Sequence, residues 1–258
     1  MLVDMIRLRR SAATVLVVAA ALLASSATAV AHRGDLFRED FDRLPLGQVT
    51  GGHGWTTDVS GGSLTIEPST SGHGRELHVH TDGNGRAFLV VPGLTPPGNS
   101  FWVRMRLRVA AFPTAPPWAH WTIAEASGSD APTLVRPIGG QYVPTSNANF
   151  FGVGSDLGPT GDWTAWQTSA PAVAGNWRCV EFHLDATDNR VTVYLDGVEQ
   201  TALTVSTRQH GGASGDFVFP RFDTLKLGWQ LYQPSPTPSS YDVQLDDVVV
   251  STHRIGTH

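Results

Sequence analysis

The chain of 258 residues has one cysteine, Cys179, so no disulfide can close within it. A chain of this length does not need such staples. Cys179 reads as a small half-buried hydrophobe in Trp177-Arg178-Cys179-Val180-Glu181-Phe182-His183-Leu184, with no catalytic-thiol signature around it. Charge is sparse as well. Asp, Glu, Lys and Arg make up 16% of the chain and the formal net charge is −5, which argues against broad attraction to nucleic acid or anionic lipid. No long helical periodicity appears. The H-E-x-x-H, Walker, nucleophile-elbow and paired C-x-x-C patterns are absent, which removes the usual motif-encoded metalloprotease, nucleotide, α/β-hydrolase and redox readings. No E-x-D-x-x-E pattern sets two acids on one strand face.

The only long apolar run is Ala12 to Leu23, after the basic residues Arg7, Arg9 and Arg10. It is too short to span a bilayer and is followed by small residues, with Ala27-Thr28-Ala29 or Ala29-Val30-Ala31 as the cleavage site. Residues 1–31 are expected to be a signal peptide and residues 32–258 one secreted domain, without membrane attachment after cleavage and monomeric. Removing Asp4 and three arginines leaves the remainder more acidic still.

What the chain has in plenty is turn-forming residues, 27 glycines and 17 prolines. Between them lie short alternating runs: Ser63–Ile66, Glu76–His80, Ala87–Val91, Phe101–Val109, His120–Ala126, Arg178–Leu184, Arg190–Leu195, Phe222–Leu231 and Val243–Val250. Short strands separated by turns predict an all-β fold, an antiparallel β-jelly roll or sandwich. Asp185–Asn189 and Asp196-Gly197 read as hairpin turns. Residues 137–174 show little regular pattern, and long irregular segments on β scaffolds commonly carry function. They hold Gln141, Asn149, Trp163 and Trp166.

The alternation also sorts candidate site residues. In Leu225–Tyr232 the leucines and Trp229 share one face, leaving Lys226, Gln230 and Tyr232 around Gly228 on the other, a set suited to a polar, ring-shaped, anionic ligand. In Phe101–Val109 the outer face carries Trp102, Arg104, Arg106 and Arg108, roughly 7 Å apart along the strand, which reads as a carboxylate clamp. If Trp121 and Ile123 face inward, His120 and Thr122 face outward, and His120 becomes a candidate general base. Glu125 shares parity with Trp121 and is expected to be buried. A hydrolase using Glu125 and Glu181 is the weaker alternative chemistry. His78 and His80 share a strand face but lack a third ligand for zinc and read as a solvent-facing pair. Glu39-Asp40-Phe41-Asp42 and Asp246-Asp247 stand at the two ends of the domain, where adjacent terminal strands would gather carboxylates around a Ca²⁺.

With those residues in view, the sequence resembles the family of secreted Cip1-like proteins, jelly rolls related to glucuronan and alginate lyases. The resemblance rests on Phe101-Trp102-Val103-Arg104, His120 to Ala126, Ile138-Gly139-Gly140-Gln141, Trp177 to His183, Leu227 to Tyr232, Asp246-Asp247-Val248 and Arg254-Ile255-Gly256, in family order over roughly residues 36–256. It implies a concanavalin A-like sandwich with a concave groove for a polysaccharide and a structural Ca²⁺ on the far side. It implies that Arg104 and Gln141 neutralise a uronate carboxylate, that His120 and Tyr232 move protons, and that Asn149 and Gln230 help. Glu39, Asp246 and Asp247 would hold the calcium. The family often has a cysteine where Thr257 stands here, and the R-[ST]-E-L-R and Q-[IV]-H signatures of alginate lyases are not reproduced.

Two functions follow as expectations. One is a polysaccharide lyase cleaving a uronic-acid polymer by β-elimination, with Arg106, Trp102, Asn149, Trp166, Lys226 and Gln230 lining the substrate. The other is a non-catalytic carbohydrate-binding domain in which Trp102, Trp163, Trp166 and Tyr232 stack on sugars.

Overall fold

The computed structural model describes residues 34–157, 161–165, 167–206 and 217–257. The expected signal peptide lies outside them. Eleven strands carry the architecture: β1 (Asp35–Glu39), β2 (Trp55–Pro68), β3 (Arg75–Pro92), β4 (Ser100–Val109), β5 (His120–Gly128), β6 (Ala131–Val143), β7 (Ala148–Asp156), β8 (Arg178–Asp185), β9 (Arg190–Leu195), β10 (Thr224–Leu231) and β11 (Ser240–Ser251). Every run expected from the alternation lies in a strand, except that Phe222–Leu231 is strand only from Thr224. The segment 137–174 is not irregular as expected: it completes β6, contains β7 and adds a short strand at Pro171–Ala172.

All pairings are antiparallel, and the strands form one continuous ladder folded into two layers. The first layer runs β7–β6–β5–β10–β3–β2, and the second runs β2–β3–β11–β4–β8–β9. β2 and β3 belong to both. The Pro92-to-Arg86 half of β3 pairs β10, and its Asp82-to-Leu77 half pairs β11. The crossing point is made of glycine. β2 is bulged between Ser60 and Gly62, and a Cβ on Gly85 would stand 2.2 Å from the Gly61 carbonyl oxygen. Only glycine lets two backbones approach so closely at a bend. β1 lies against the far half of β11, pairing Glu39 with Val248, so the terminal strands are neighbours. The turns at Asn189 and Asp196-Gly197 take positive φ, as hairpin turns require.

Alternation fills the space between the layers. Phe101, Val103, Met105, Leu107 and Val109 face in from β4, and Leu225, Leu227, Trp229 and Leu231 from β10. Trp121 stacks on Trp229 at 5.7 Å, and Trp229 on Tyr241 of β11 at 5.2 Å, which joins the layers through aromatic rings. Trp163 is also core, wholly buried beside Phe217 and Phe219, with its indole N–H donated to Ser155 Oγ. It is not a sugar platform.

Gly140 marks the tightest place. A Cβ there would lie 2.2 Å from Trp121 Cζ2 and 2.3 Å from the Phe150 carbonyl oxygen. Gly140→Ala is therefore expected to destabilise the fold by about 1–3 kcal/mol, the usual cost of overpacking, measured by urea denaturation at unchanged m-value.

Candidate functional site

The outer face of the first layer collects the polar chemistry. Burial of Trp121 turns His120 and Thr122 outward on β5. The register of β5 against β6 then shifts at Ile123-Ala124, so that both of those residues are buried and Glu125 turns outward. The same reversal occurs on β6. Ile138 and Gly140 face in, Gly139 and Gln141 face out, and a shift between Arg136 and Gly139 returns Arg136 to the outer face while Val135 enters the core. On β10 the alternation is unbroken, so Lys226 and Gln230 face out and Tyr232 follows.

His120 pairs across the ladder with Gln141, and the Tyr232 N–H donates to the His120 carbonyl oxygen at 3.1 Å. The Tyr232 hydroxyl lies 3.1 Å from Thr122 Oγ1, and the Arg136 guanidinium lies 5.6 Å from the centre of the Tyr232 ring. Imidazole, amide, phenol and guanidinium thus share one face. Gln233 fixes the histidine: its side-chain oxygen accepts the His120 backbone N–H at 2.6 Å and its amide nitrogen stands 3.0 Å from Nδ1. An amide donor at Nδ1 leaves the imidazole proton on Nε2. Arg136 pairs with Asp156 at 3.2 Å and donates to the Ser155 carbonyl oxygen, yet its Nε is buried and has no partner. An orphaned buried guanidinium N–H is costly unless a ligand meets it.

Burial sets the protonation states. It lowers the His120 pKa below the ordinary 6.5, with Arg136 acting the same way and Asp162 opposing. It pushes the Tyr232 phenol up to about 12, against the pull of Arg136. Near neutral pH the imidazole is therefore uncharged and the phenol keeps its proton. Burial also raises the Glu125 carboxyl, which is 6% exposed, against the pull of Lys226.

Several expected site residues lie elsewhere. Arg104, Arg106 and Trp102 are on the outer face of the second layer, apart from His120, because β4 belongs to that layer. Arg104 pairs across strands with Glu181 and donates to the Gly256 carbonyl oxygen. Arg106 lies over the Trp177 ring at 5.1 Å, and Trp102 stacks on His183 at 4.2 Å. Asn149 points inward, accepting the Trp121 indole N–H and donating to the Pro113 carbonyl oxygen, so it fastens the core rather than a substrate. Lys226 does face out, but Asp58 holds its ammonium at 2.8 Å. Gln230 faces out beside Thr122. Trp166 lies outside the described residues. Glu181 accepts the backbone N–H groups of Ile255 and Gly256 on the second layer, so it cannot act with Glu125, and the paired-carboxylate hydrolase falls. The residues missed were Arg136, Gln233 and Asp156. Arg136 sat in a strand whose register shift at Pro137 hides its parity.

At the terminal strands, each Glu39 oxygen accepts one N–H, from Phe41 N at 3.0 Å and from Trp55 Nε1 at 3.0 Å, which fixes the carboxylate and leaves a lone pair on each oxygen. Asp246 and Asp247 stand at a register shift of β11, and burial together with Asp247 pushes the Asp246 carboxyl up to about 7. Among the described residues no three His, Cys, Asp or Glu side chains are grouped to hold a metal ion. A cavity of about 500 Å³ opens elsewhere, between Leu94–Asn99, Ser129-Asp130 and Arg221–Asp223.

An NMR titration of the imidazoles checks the electrostatics. The His120 resonance is expected to shift at a pH below 6.5, and a midpoint at or above that value would contradict its burial.

No family model matches the chain, and no curated protein matches it. Among solved structures it is similar to the cellulose-induced protein Cip1, with a TM-score of 0.59 and 18% identity over 79% of this chain and 94% of that one. It is also similar to a sialidase, with a TM-score of 0.50 and 11% identity over 84% of this chain but only 18% of that one. At these identities the likeness is one of fold, and the chain shares the β-sandwich architecture of Cip1.

Proposed function

We propose that the protein is a secreted polysaccharide lyase that cleaves a 4-linked uronic-acid polymer on the outer face of the first layer. The observation that carries this reading is the convergence of His120, Gln141, Tyr232 and Arg136 on one sheet face, with the Arg136 Nε unsatisfied. The obstacle to β-elimination is the weak acidity of the C5 proton. Arg136 and Gln141 bind the uronate carboxylate and stabilise the enolate-like charge that develops there, an effect typically worth about 3–4 kcal/mol per donor. Arg136 thereby takes the part expected of Arg104.

Protonation states assign the remaining roles. Neutral His120 removes the C5 proton at Nδ1, the nitrogen without a hydrogen, as the Gln233 amide gives way to the sugar. The electron pair forms the C4=C5 double bond and the C4–O4 bond breaks. Tyr232, held in its protonated form, gives its proton to the departing O4. No redox cofactor enters. The expected product carries a conjugated unsaturated uronate that absorbs in the ultraviolet. Tyr232→Phe and Gln141→Ala are each expected to lower its rate of formation by about 10²-fold or more while polymer binding persists. Activity is expected to fall as pH drops through the His120 pKa, because the protonated imidazole accepts nothing. Binding without any product in the wild type would instead make the protein a carbohydrate-binding domain.

Calcium at the terminal strands is a second part of the proposal. Glu39, Asp246 and Asp247, with backbone carbonyls, would hold it, and its role would be structural. Calcium over EDTA is expected to raise Tm by about 3 °C or more, and Asp246→Asn to abolish that difference.

A further inference from the structure

The first cation of the site face, Arg136, is already paired with Asp156 at 3.2 Å and is buried. One of its N–H groups, the buried Nε, lacks a partner. The other two cations described on this face are matched as well. Lys226 Nζ lies 2.8 Å from Asp58 and 3.8 Å from Glu125, and Arg86 Nε lies 3.0 Å from the other Asp58 oxygen. Lys226 is held further over the Phe88 ring at 5.9 Å. These four groups form a charge-balanced block on the β3–β10 side of Tyr232. Within it, a second carboxylate would find Asp58 and Glu125 rather than a free cation. A neutral ring would find carboxylate oxygens ready to accept its hydroxyls.

A homopolymer of uronate places a carboxylate on every ring, so the ring beside the reacting one would bring its charge against this block. Burying a charge without a partner is strongly unfavourable. We infer that the face is built for a polymer in which 4-linked uronate alternates with a neutral sugar, and that Asp58, Glu125 and Lys226 determine this choice. The inference rests on the lyase reading for the location of the reacting ring. Specificity here comes from an unfavourable pairing with the wrong polymer as much as from contacts with the right one.

The test compares hyaluronan, in which 4-linked glucuronate alternates with a neutral amino sugar, with glucuronan, in which every ring is glucuronate. Initial rates of ultraviolet product formation are measured for the wild type, Asp58→Asn and Glu125→Gln. Retention by each polymer is measured in affinity electrophoresis on Tyr232→Phe, alone and combined with Asp58→Asn. The wild type is expected to favour hyaluronan by at least about tenfold. Asp58→Asn frees the Lys226 ammonium and is expected to shrink that ratio by raising the glucuronan rate. Glu125→Gln, which removes the buried carboxylate at constant shape, is expected to act in the same direction. Equal rates on the two polymers, or a ratio untouched by both variants, would overturn the selectivity and leave the lyase reading standing. If neither polymer is cleaved, the lyase reading fails and the retention ratio decides the selectivity. Preference for hyaluronan that narrows with Asp58→Asn supports it, and equal retention overturns it.

Discussion

Trp121 packs its indole between Trp229 at 5.7 Å and Phe112 at 4.8 Å, gives its N–H to Asn149, and fills the space that a side chain at Gly140 would need. Burying a ring of this size is worth several kcal/mol, by analogy with the about 3–5 kcal/mol cost of truncating one. Strand neighbours point to opposite faces, so fixing this ring inside forces His120 and Thr122 outside. Every functional group on β6 and β10 is then placed relative to those two. The chemistry of the outer face is a consequence of packing on the inner one.

Much of this was legible in the chain and some was not, for identifiable reasons. The alternation in Phe101–Val109 and Leu225–Leu231 is strict, and both faces came out as read. Alternation says which side of a strand a residue occupies. It does not say which layer the strand joins, and so Arg104 was grouped with His120 although β4 pairs with β8 and β11. Register shifts defeated the reading in the other direction. Glu125 is buried as expected, but beside Lys226 on the outer face rather than on the Trp121 side, and counting from Gln141 through Pro137 hides Arg136. Asn149 lies in a glycine-rich strand with weak pattern, where an inward amide is hard to tell from an outward one. The His78-x-His80 pair was read as solvent-facing. It is in fact half-buried, and Asp242 of the neighbouring strand stands 2.9 Å from one imidazole and 2.7 Å from the other, making the pair an inter-strand clasp.

The two outer faces use arginine differently. On the second layer Arg104 and Arg108 are spent on backbone carbonyls and a neutral amide, and Arg106 rests on Trp177. These contacts anchor chain segments that cross the sheet, among them the Arg254–Gly256 tail that Glu181 also grips. On the first layer, Arg136 sits beside a phenol and an imidazole whose protons burial has already allotted. Identical side chains on two similar faces thus hold chain segments in one case and stand beside a phenol and an imidazole in the other. The difference lies in the neighbours of each guanidinium, since the Nε of Arg104 and that of Arg136 are both buried without a hydrogen-bond partner.

β2 and β3 run unbroken from one layer into the other, turning at Gly61-Gly62 and Gly83–Gly85. A sandwich of two separate sheets can in principle be prised open along its greasy seam. Here the covalent backbone itself crosses the seam twice, so neither half can be excised, swapped or melted without unthreading the other. Such a molecule is inheritable only whole: remodelling of its outer faces must proceed by exchanging side chains, since transplanting half of the scaffold would cut its spine.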